Sequence, residues 1–218
     1  MGSAPQRPDL VLERRHWGQG AAVAGLDEVG RGAWAGPVTV AAVVLPPESC
    51  VSGLRDSKQL EPAEREQVAV SLRALALAIG LGHASNDEVD RQGLGPALMA
   101  AARRAVDALP EQPDVVLIDG RLDLLDGYGT WNETIVGGDA RCASIAAASV
   151  VAKVARDREM VNAAAVHPVY AFDANKGYGT PAHRAALQQH GPCSLHRHTW
   201  APIRRLESGT GVCVTGRR

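Results

Sequence analysis

Long apolar runs are absent from this chain of 218 residues. Nothing in it approaches the roughly 20 consecutive apolar residues of a membrane-spanning helix. The longest early stretch, Val38 to Leu45, has the size of a strand. The opening MGSAPQRPDLVLERR lacks the apolar core of a secretory leader, so the cytoplasm is the expected compartment. Cysteine is sparse. Cys50, Cys142, Cys193 and Cys213 stand far apart and form no CxxC pair, which argues against a disulfide framework or a zinc site and for free thiols. Lysine is scarcer still, with three against twenty arginines. A chain that uses Arg wherever either cation serves keeps Lys where a compact ammonium is needed, because the two differ as phosphate ligands. The three are Lys58, Lys153 and Lys176.

What remains is an ordinary globular composition, 45% apolar, which suffices to bury a core. The net charge of −1 gives no sign of an anionic partner, but its distribution does. Between Arg141 and Arg205 there are nine Lys or Arg against three Asp or Glu, a balance of +6 that leaves −7 for the rest.

The pattern predicts one domain over residues 1–205, followed by a disordered Gly- and Arg-rich tail over 206–218. Ala21–Leu26 and Pro37–Leu45 read as strands of a hairpin joined by a glycine-rich turn. An amphipathic helix opens at Glu61-Pro62, and Leu75–His83 reads as a third strand. Asn86 is the expected cap of a short helix, and Pro96 sits early in another that reaches Leu109. Asp114–Asp119 (DVVLID) is a short buried strand. Ala143 to about Ala165 is a long alanine-rich helix, and Thr180-Pro181 begins a C-terminal helical segment over about 180–205. Strand pairs first, then alternating helices and strands, give an α/β or α+β domain: a mixed sheet covered by helices.

Four acids stand out. Asp27 and Glu28 follow the first strand directly, in GLDEVGRG. Neighbours on a strand point to opposite faces, so a shared site requires a backbone bend, which Gly30 and Gly32 permit. Asp119 ends DVVLID, where a buried acid is costly unless bonded, paired or bound to metal. Asp139 lies in GGDA before the long helix. Each has an ordinary alternative: a turn pair, a solvated strand-end acid and a helix cap. Taken together, an oxygen-only set without His or Cys competitors suits hard cations such as Mg²⁺ or Mn²⁺. Two such ions about 4 Å apart serve phosphoryl displacement. They would move the formal charge from −1 to +3, removing the objection to a polyanionic substrate.

GLDEVGRGAWAGPV resembles the opening signature of the ribonuclease HII family. LRDSKQL, DVVLIDG, GGDARCASIAAASVVAKVARDR, NKGYGTPAH and HRHTWAPIR resemble its later segments, in the family's order, so the similarity covers roughly residues 8 to 205. The resemblance implies an RNase H-like α/β fold, a central mixed sheet flanked by helices with a C-terminal helical segment. It implies Asp27, Glu28, Asp119 and Asp139 as catalytic metal ligands for two Mg²⁺ or Mn²⁺ ions. Many relatives carry Lys where Gly138 precedes Asp139, and a small insertion surrounds Asp123–Tyr128, so Asp123 and Asp126 remain rivals to Asp139. Gly30, Arg31 and Gly32 match the motif whose backbone approaches the ribose 2′-OH, and Tyr178 matches the junction-sensing tyrosine. Ser57, Lys58, Lys153 and Lys176 are the implied phosphate or positioning contacts, while His196 and His198 are expected to be structural or phosphate-facing.

The implied substrates are RNA/DNA hybrids and duplex DNA carrying single ribonucleotides, as in replication and ribonucleotide repair. Incision would be 5′ of the ribonucleotide, leaving 3′-OH and 5′-phosphate ends. The expected state is a monomer, with no sliding-clamp motif in ESGTGVCVTGRR. The neighbouring ribonuclease HIII type shares the chemistry but lacks this Gly-Arg-Gly reading. A catalytically dead relative would not keep all four acids.

Overall fold

The structure is a computed structural model that describes residues 7–55 and 57–209. Strand β1 (Val23–Val29) is the middle of a five-stranded sheet of order β3-β2-β1-β4-β5. β2 (Val38–Val44) returns antiparallel to it, as the hairpin reading predicts, and β3 (Ala78–Ala84) pairs antiparallel with β2. On the other side β4 (Val115–Asp119) lies parallel to β1, and β5 (Trp131–Ile135) parallel to β4. Leu26 stands beside Ile118 in the parallel register. The next residues, Asp27 and Asp119, therefore reach the same end of two neighbouring strands. Asp27 and Glu28 do not follow the strand but lie within it, opposite Ala41 and Val40 of β2.

Side-chain alternation divides the core into layers. Helix α1 (Val11–Trp17) precedes the sheet and α2 (Pro62–Leu75) links β2 to β3. Helices α3 (Asn86–Gln92) and α4 (Leu94–Asp107) follow β3, and α5 (Ala143–Val166) follows β5. Ala24, Leu26, Val116 and Ile118 pack on the α4 face with Leu98, Ala101 and Ala105. Ala41 and Val43 pack on the opposite face with Leu72 of α2 and Ala147, Val150 and Val151 of α5. Val23, Val115 and Leu117 meet Ile145 of α5 on that same face. Asp27 and Asp119 share the parity of Val23 and Leu117, so both point toward α5. The small side chains Ala146, Ala147, Ala148 and Ala152 are fully buried and let this long helix lie close to the sheet. Helices α6 (Phe172–Asn175), α7 (Pro181–His190) and α8 (Ala201–Gly209) complete the C-terminal part, around Met160, Tyr170, Phe172, Leu187 and Ile203.

Several local expectations shift. Ser85, not Asn86, caps α3: its hydroxyl accepts from Glu88 N at 3.1 Å, and the Glu88 carboxylate accepts from Ser85 N at 2.9 Å. Asn86 instead donates to the Ser194 carbonyl at 2.8 Å. Two elements carry too little apolar periodicity to be seen in the sequence. α1 buries chiefly Glu13, and β5 is an edge strand with Trp131 exposed. Cys50, Cys142 and Cys193 are free thiols. Helix α8 extends to Gly209; the remainder of the expected tail, with Cys213, lies outside the described residues. Among the described residues no helix is long and apolar enough to cross a membrane.

Candidate active site

Where β1 and β4 end, a cleft opens, lined by Asp27, Glu28, Ser57, Lys58, Asp119, Ser149, Lys153 and Tyr178. The Asp27 carboxylate is buried and accepts from Glu28 N at 2.7 Å. Burial first, then the charges of Glu28 and Asp119, push its pKa well above the usual carboxylate range; the Ser149 hydroxyl and the Glu28 N–H act in the opposite sense. Burial also raises Asp119, followed by the negative charge of Asp139, although the N–H groups of Gly138 and Asp139 and the Lys58 ammonium oppose this. Asp119 accepts from Gly138 N at 2.7 Å, tying the end of β4 to the segment that carries Asp139. Each acid thus feels the next, and the four form one electrostatic unit although they come from three parts of the chain.

Asp139 lies in a 3-10 turn, Gly138–Ala140, not at a helix cap. Cys142 is the N-cap of α5, and the Ser144 N–H at that helix start is satisfied by Glu13 at 2.8 Å. The rivals stand elsewhere. Asp123 accepts from Leu125 N at 2.9 Å and from Asn132 Nδ2 at 3.2 Å, within its own loop and toward β5. The Asp126 carbonyl receives Arg103 at 3.0 Å. Neither lines the cleft; Asp139 is not among its lining residues either, but it is joined to that lining through the ion pair with Lys58.

Positive side chains meet these acids. Lys58 Nζ lies 2.8 Å from Asp139 Oδ2, and Arg31 Nη1 lies 2.8 Å from Glu28 Oε1. Lys153 donates to Asp157 at 2.6 Å and stands 6.0 Å from the centre of the Tyr178 ring. Burial lowers its pKa, against the bond to Asp157. Ser57 and Ser149 share a buried hydroxyl bond of 2.8 Å. Lys176 is set apart: its ammonium reaches the Asp173 carbonyl and its side chain lines a neighbouring groove between α2 and α5. The cleft lining therefore gathers Asp27, Glu28, Asp119, Ser57, Lys58, Lys153 and Tyr178; Asp139 joins it through Lys58, the Gly30-Arg31-Gly32 turn borders it through the Arg31–Glu28 pair, and Lys176 stands apart.

The two glycines of that turn differ. Gly30 has φ +91°, and a Cβ there would fall on the Arg156 guanidinium and the Pro37 carbonyl oxygen. Its smallness is demanded by the protein itself. Gly32 is exposed with nothing within 4 Å of a Cβ, so its lack of a side chain leaves the backbone open to an outside partner.

Three buried polar residues about the site were not singled out from the sequence: Ser149, Arg156 and Arg197. Ser149 and Arg156 fall within a motif-like segment at helical spacing, Arg197 within HRHTW, but nothing marks them apart from twenty arginines and their neighbours. His196 has a structural role. Its Nε2 lies 3.0 Å from His183 Nε2, and its Nδ1 accepts from Cys193 N at 2.8 Å. His183 Nδ1 lies 2.9 Å from the Tyr178 carbonyl. These three contacts are satisfied if His196 carries its proton on Nε2 and His183 on Nδ1. Burial lowers both, with the neighbouring His183 helping to bring His196 to about 4.

The donor set is all oxygen, and its buried acids repel one another, which fits a divalent cation better than it fits any neutral ligand. Among the described residues no group of three or more His, Cys, Asp or Glu is arranged so that it could hold a metal ion as it stands. Two of the four carboxylates are instead turned to Arg31 and Lys58.

Comparison with known proteins gives concordant findings. The family described as Ribonuclease HII matches residues 24–203. A Ribonuclease HII of Rhizobium johnstonii is 45% identical over 212 residues, covering 95% of this chain and 90% of that protein. Among solved structures, the ribonuclease H2 from Pyrococcus horikoshii OT3 superposes with a TM-score of 0.74 at 24% identity, covering 86% of this chain and 97% of that one. Bst-RNase HIII in complex with Mn²⁺ superposes at 0.64 and 18% identity, covering 88% and 70%. At those identities the structural neighbours speak for the fold, an RNase H-like sheet flanked by helices.

Proposed function

The chain belongs to the ribonuclease HII family, a metal-dependent ribonuclease acting on the RNA strand of RNA/DNA hybrids, and from that premise we propose that it also incises 5′ of single ribonucleotides embedded in duplex DNA, using two divalent cations. The observation that carries this reading is the placement of Asp27, Glu28 and Asp119 in one cleft with Tyr178 on its wall, and of Asp139 beside it through Lys58 and Asp119. When bound there, Mg²⁺ or Mn²⁺ would supply the Lewis acidity that activates water and stabilises the departing 3′ oxygen. Asp27, which feels the charges of both Glu28 and Asp119, would be the acid shared between the cations. The fit of manganese draws support from the Bst-RNase HIII neighbour solved with that ion.

The chain's own residues do the rest. Asp27, Glu28, Asp119 and Asp139 would hold the cations, and Lys58 and Arg31, now paired with two of those acids, would then be available to phosphate. Ser57 and Lys153 line the same wall. The exposed Gly32 backbone can approach a 2′-OH, which RNA has and DNA lacks. The Tyr178 ring, across the cleft, can stack on the following deoxyribose, where a 2′-OH would crowd it. The protein works as a monomer on duplex substrate read by shape and phosphate rather than by base edges.

A nicking assay on duplex DNA carrying one ribonucleotide tests this. Cleavage on the 5′ side that needs Mg²⁺ or Mn²⁺ and stops with chelator is expected. Cleavage of continuous RNA/DNA hybrid alone would limit the protein to the coarser activity. In the same assay Asp139→Asn is damaging while Asp123→Asn and Asp126→Asn are near-silent; the reverse would move the fourth ligand.

A further inference from the structure

Arg156 on α5 and Arg197 before α8 are completely buried. Burying a guanidinium away from water costs several kcal/mol unless its donors are satisfied, and here the hydrogen-bond acceptors are main-chain carbonyls. Arg156 donates to Pro37 at 2.9 Å, to Ala35 at 3.0 Å and to Lys176 at 2.9 Å. Arg197 donates to Gly36 at 3.1 Å, Arg31 at 3.0 Å and Gly30 at 2.7 Å, with a longer contact to Pro37 at 3.2 Å. Only a planar fork of five donors can spread one charge over so many carbonyls; a lysine has three donors on a single nitrogen.

The carbonyls concerned belong to the two elements assigned to the RNA-to-DNA step. Residues 30–37 are the glycine turn and its continuation; Lys176 begins the Tyr178 loop. The loops are also joined directly, since Trp34 N and Ala35 N both donate to the Gly177 carbonyl, at 2.8 and 3.2 Å. Gly177 has φ +81°, and a Cβ there would meet the Ala35 carbonyl. Finally, the Arg156 guanidinium stands 5.4 Å from the centre of the Tyr178 ring, within the range of a cation–π contact.

The geometry points to Arg156 and Arg197 as positioning residues that lock the Gly30-Arg31-Gly32 turn and Tyr178 into one rigid unit, so that discrimination of a single ribonucleotide belongs to the clasp and not to either element alone. This rests on the reading that the turn and Tyr178 sense the junction. A continuous hybrid offers many registers and tolerates a loosened clasp; a lone ribonucleotide offers one.

A double-mutant cycle tests it, with kcat/KM measured on both substrates for wild type, Arg156→Lys, Tyr178→Ala and the double variant. Arg156→Lys is expected to lower the ratio of single-ribonucleotide to hybrid cleavage by about tenfold, the scale on which small misplacements act. In the Tyr178→Ala background the same change should move that ratio by less than about twofold, since coupled residues are non-additive. Independent, multiplying effects on the ratio, or equal losses on both substrates from Arg156→Lys, would overturn the clasp while leaving junction sensing by Tyr178 intact. A ratio unmoved by Tyr178→Ala itself would overturn the junction reading and the clasp with it. Arg197→Lys runs in the same cycle. If neither lysine variant folds, native-state hydrogen exchange of the wild type decides. The amides of Trp34, Ala35, Tyr178 and Arg197 should share one opening free energy and one denaturant dependence; separate openings of the two loops would overturn the proposal.

Discussion

The two walls of the cleft are built on opposite principles. On one, acids of like charge on neighbouring strands are left in conflict: burial raises the pKa of both Asp27 and Asp119, helped by Glu28 and Asp119 for the first and by Asp139 for the second. On the other, two buried cations are fully occupied by carbonyls and hold two loops together. The first wall is destabilised as it stands and gains from a bound cation. The second spreads its charges over main-chain carbonyls, although burial lowers both guanidinium pKa values and the Arg156 charge helps to bring Arg197 to about 10. Chemistry sits where a bound cation would relieve the conflict, and recognition where main-chain hydrogen bonds already hold the loops together.

The largest effect should come from breaking the first wall. Asp27→Asn keeps shape and removes charge, so nicking should fall by about a thousandfold or more, in the range of losing a central catalytic group. Thermal stability at pH 7 should stay level or rise, because a carboxylate whose folded pKa is raised opposes folding once ionised. Near-normal nicking by the variant, or a clear loss of stability, would break the contrast between the walls.

The next effect sharpens it. Gly30→Ala places a methyl against Arg156 and Pro37 in a left-handed backbone conformation, and should cost about 2–4 kcal/mol in urea unfolding. Gly32→Ala meets no protein atom and should alter stability by less than about 1 kcal/mol, yet reduce cleavage of the single-ribonucleotide duplex. Similar stability losses for both glycines would show that the turn is merely structural throughout.

Much of the first wall was legible in the sequence and little of the second. Asp27 and Asp119 are visible because acids that end apolar runs are conspicuous, Asp139 stands out by its place before the long helix, and the resemblance implies its role and that of Tyr178. That Asp27 and Asp119 become neighbours follows from the parallel pairing of β1 with β4, which periodicity alone does not reveal. Strand β5 was missed because an exposed edge strand has no alternating pattern to find, with Trp131 outward. Helix α1 was missed because the buried residue that anchors it is Glu13, a charged side chain. Arg156 and Arg197 were invisible for a simpler reason. In a chain with twenty arginines, nothing local says which are buried, and their partners are backbone carbonyls up to 167 positions away.

A smaller effect concerns the support of the second wall. His183 and His196 are held neutral in the fold, with His196 at about 4, against about 6.5 in an unfolded chain. Their contribution is complete above pH 6.5 and is lost as pH falls toward 4, because the unfolded chain binds the protons first. The loss should be on the order of 3 kcal/mol across that window. Urea midpoints are best followed in the Asp27→Asn background, where the buried acid no longer titrates with the opposite sign. A His183→Gln, His196→Gln double variant should flatten the profile; an unchanged profile would place the pH dependence elsewhere.

That four acids from separate segments make one cation site is tested most directly by the melting temperature with and without Mn²⁺. Preferential binding to the folded state must raise it, so the wild type should gain several degrees at millimolar Mn²⁺, and Asp27→Asn and Asp139→Asn should each lose most of that gain while Asp123→Asn keeps it. A wild type that does not respond, or a gain that survives in both variants, would contradict the account.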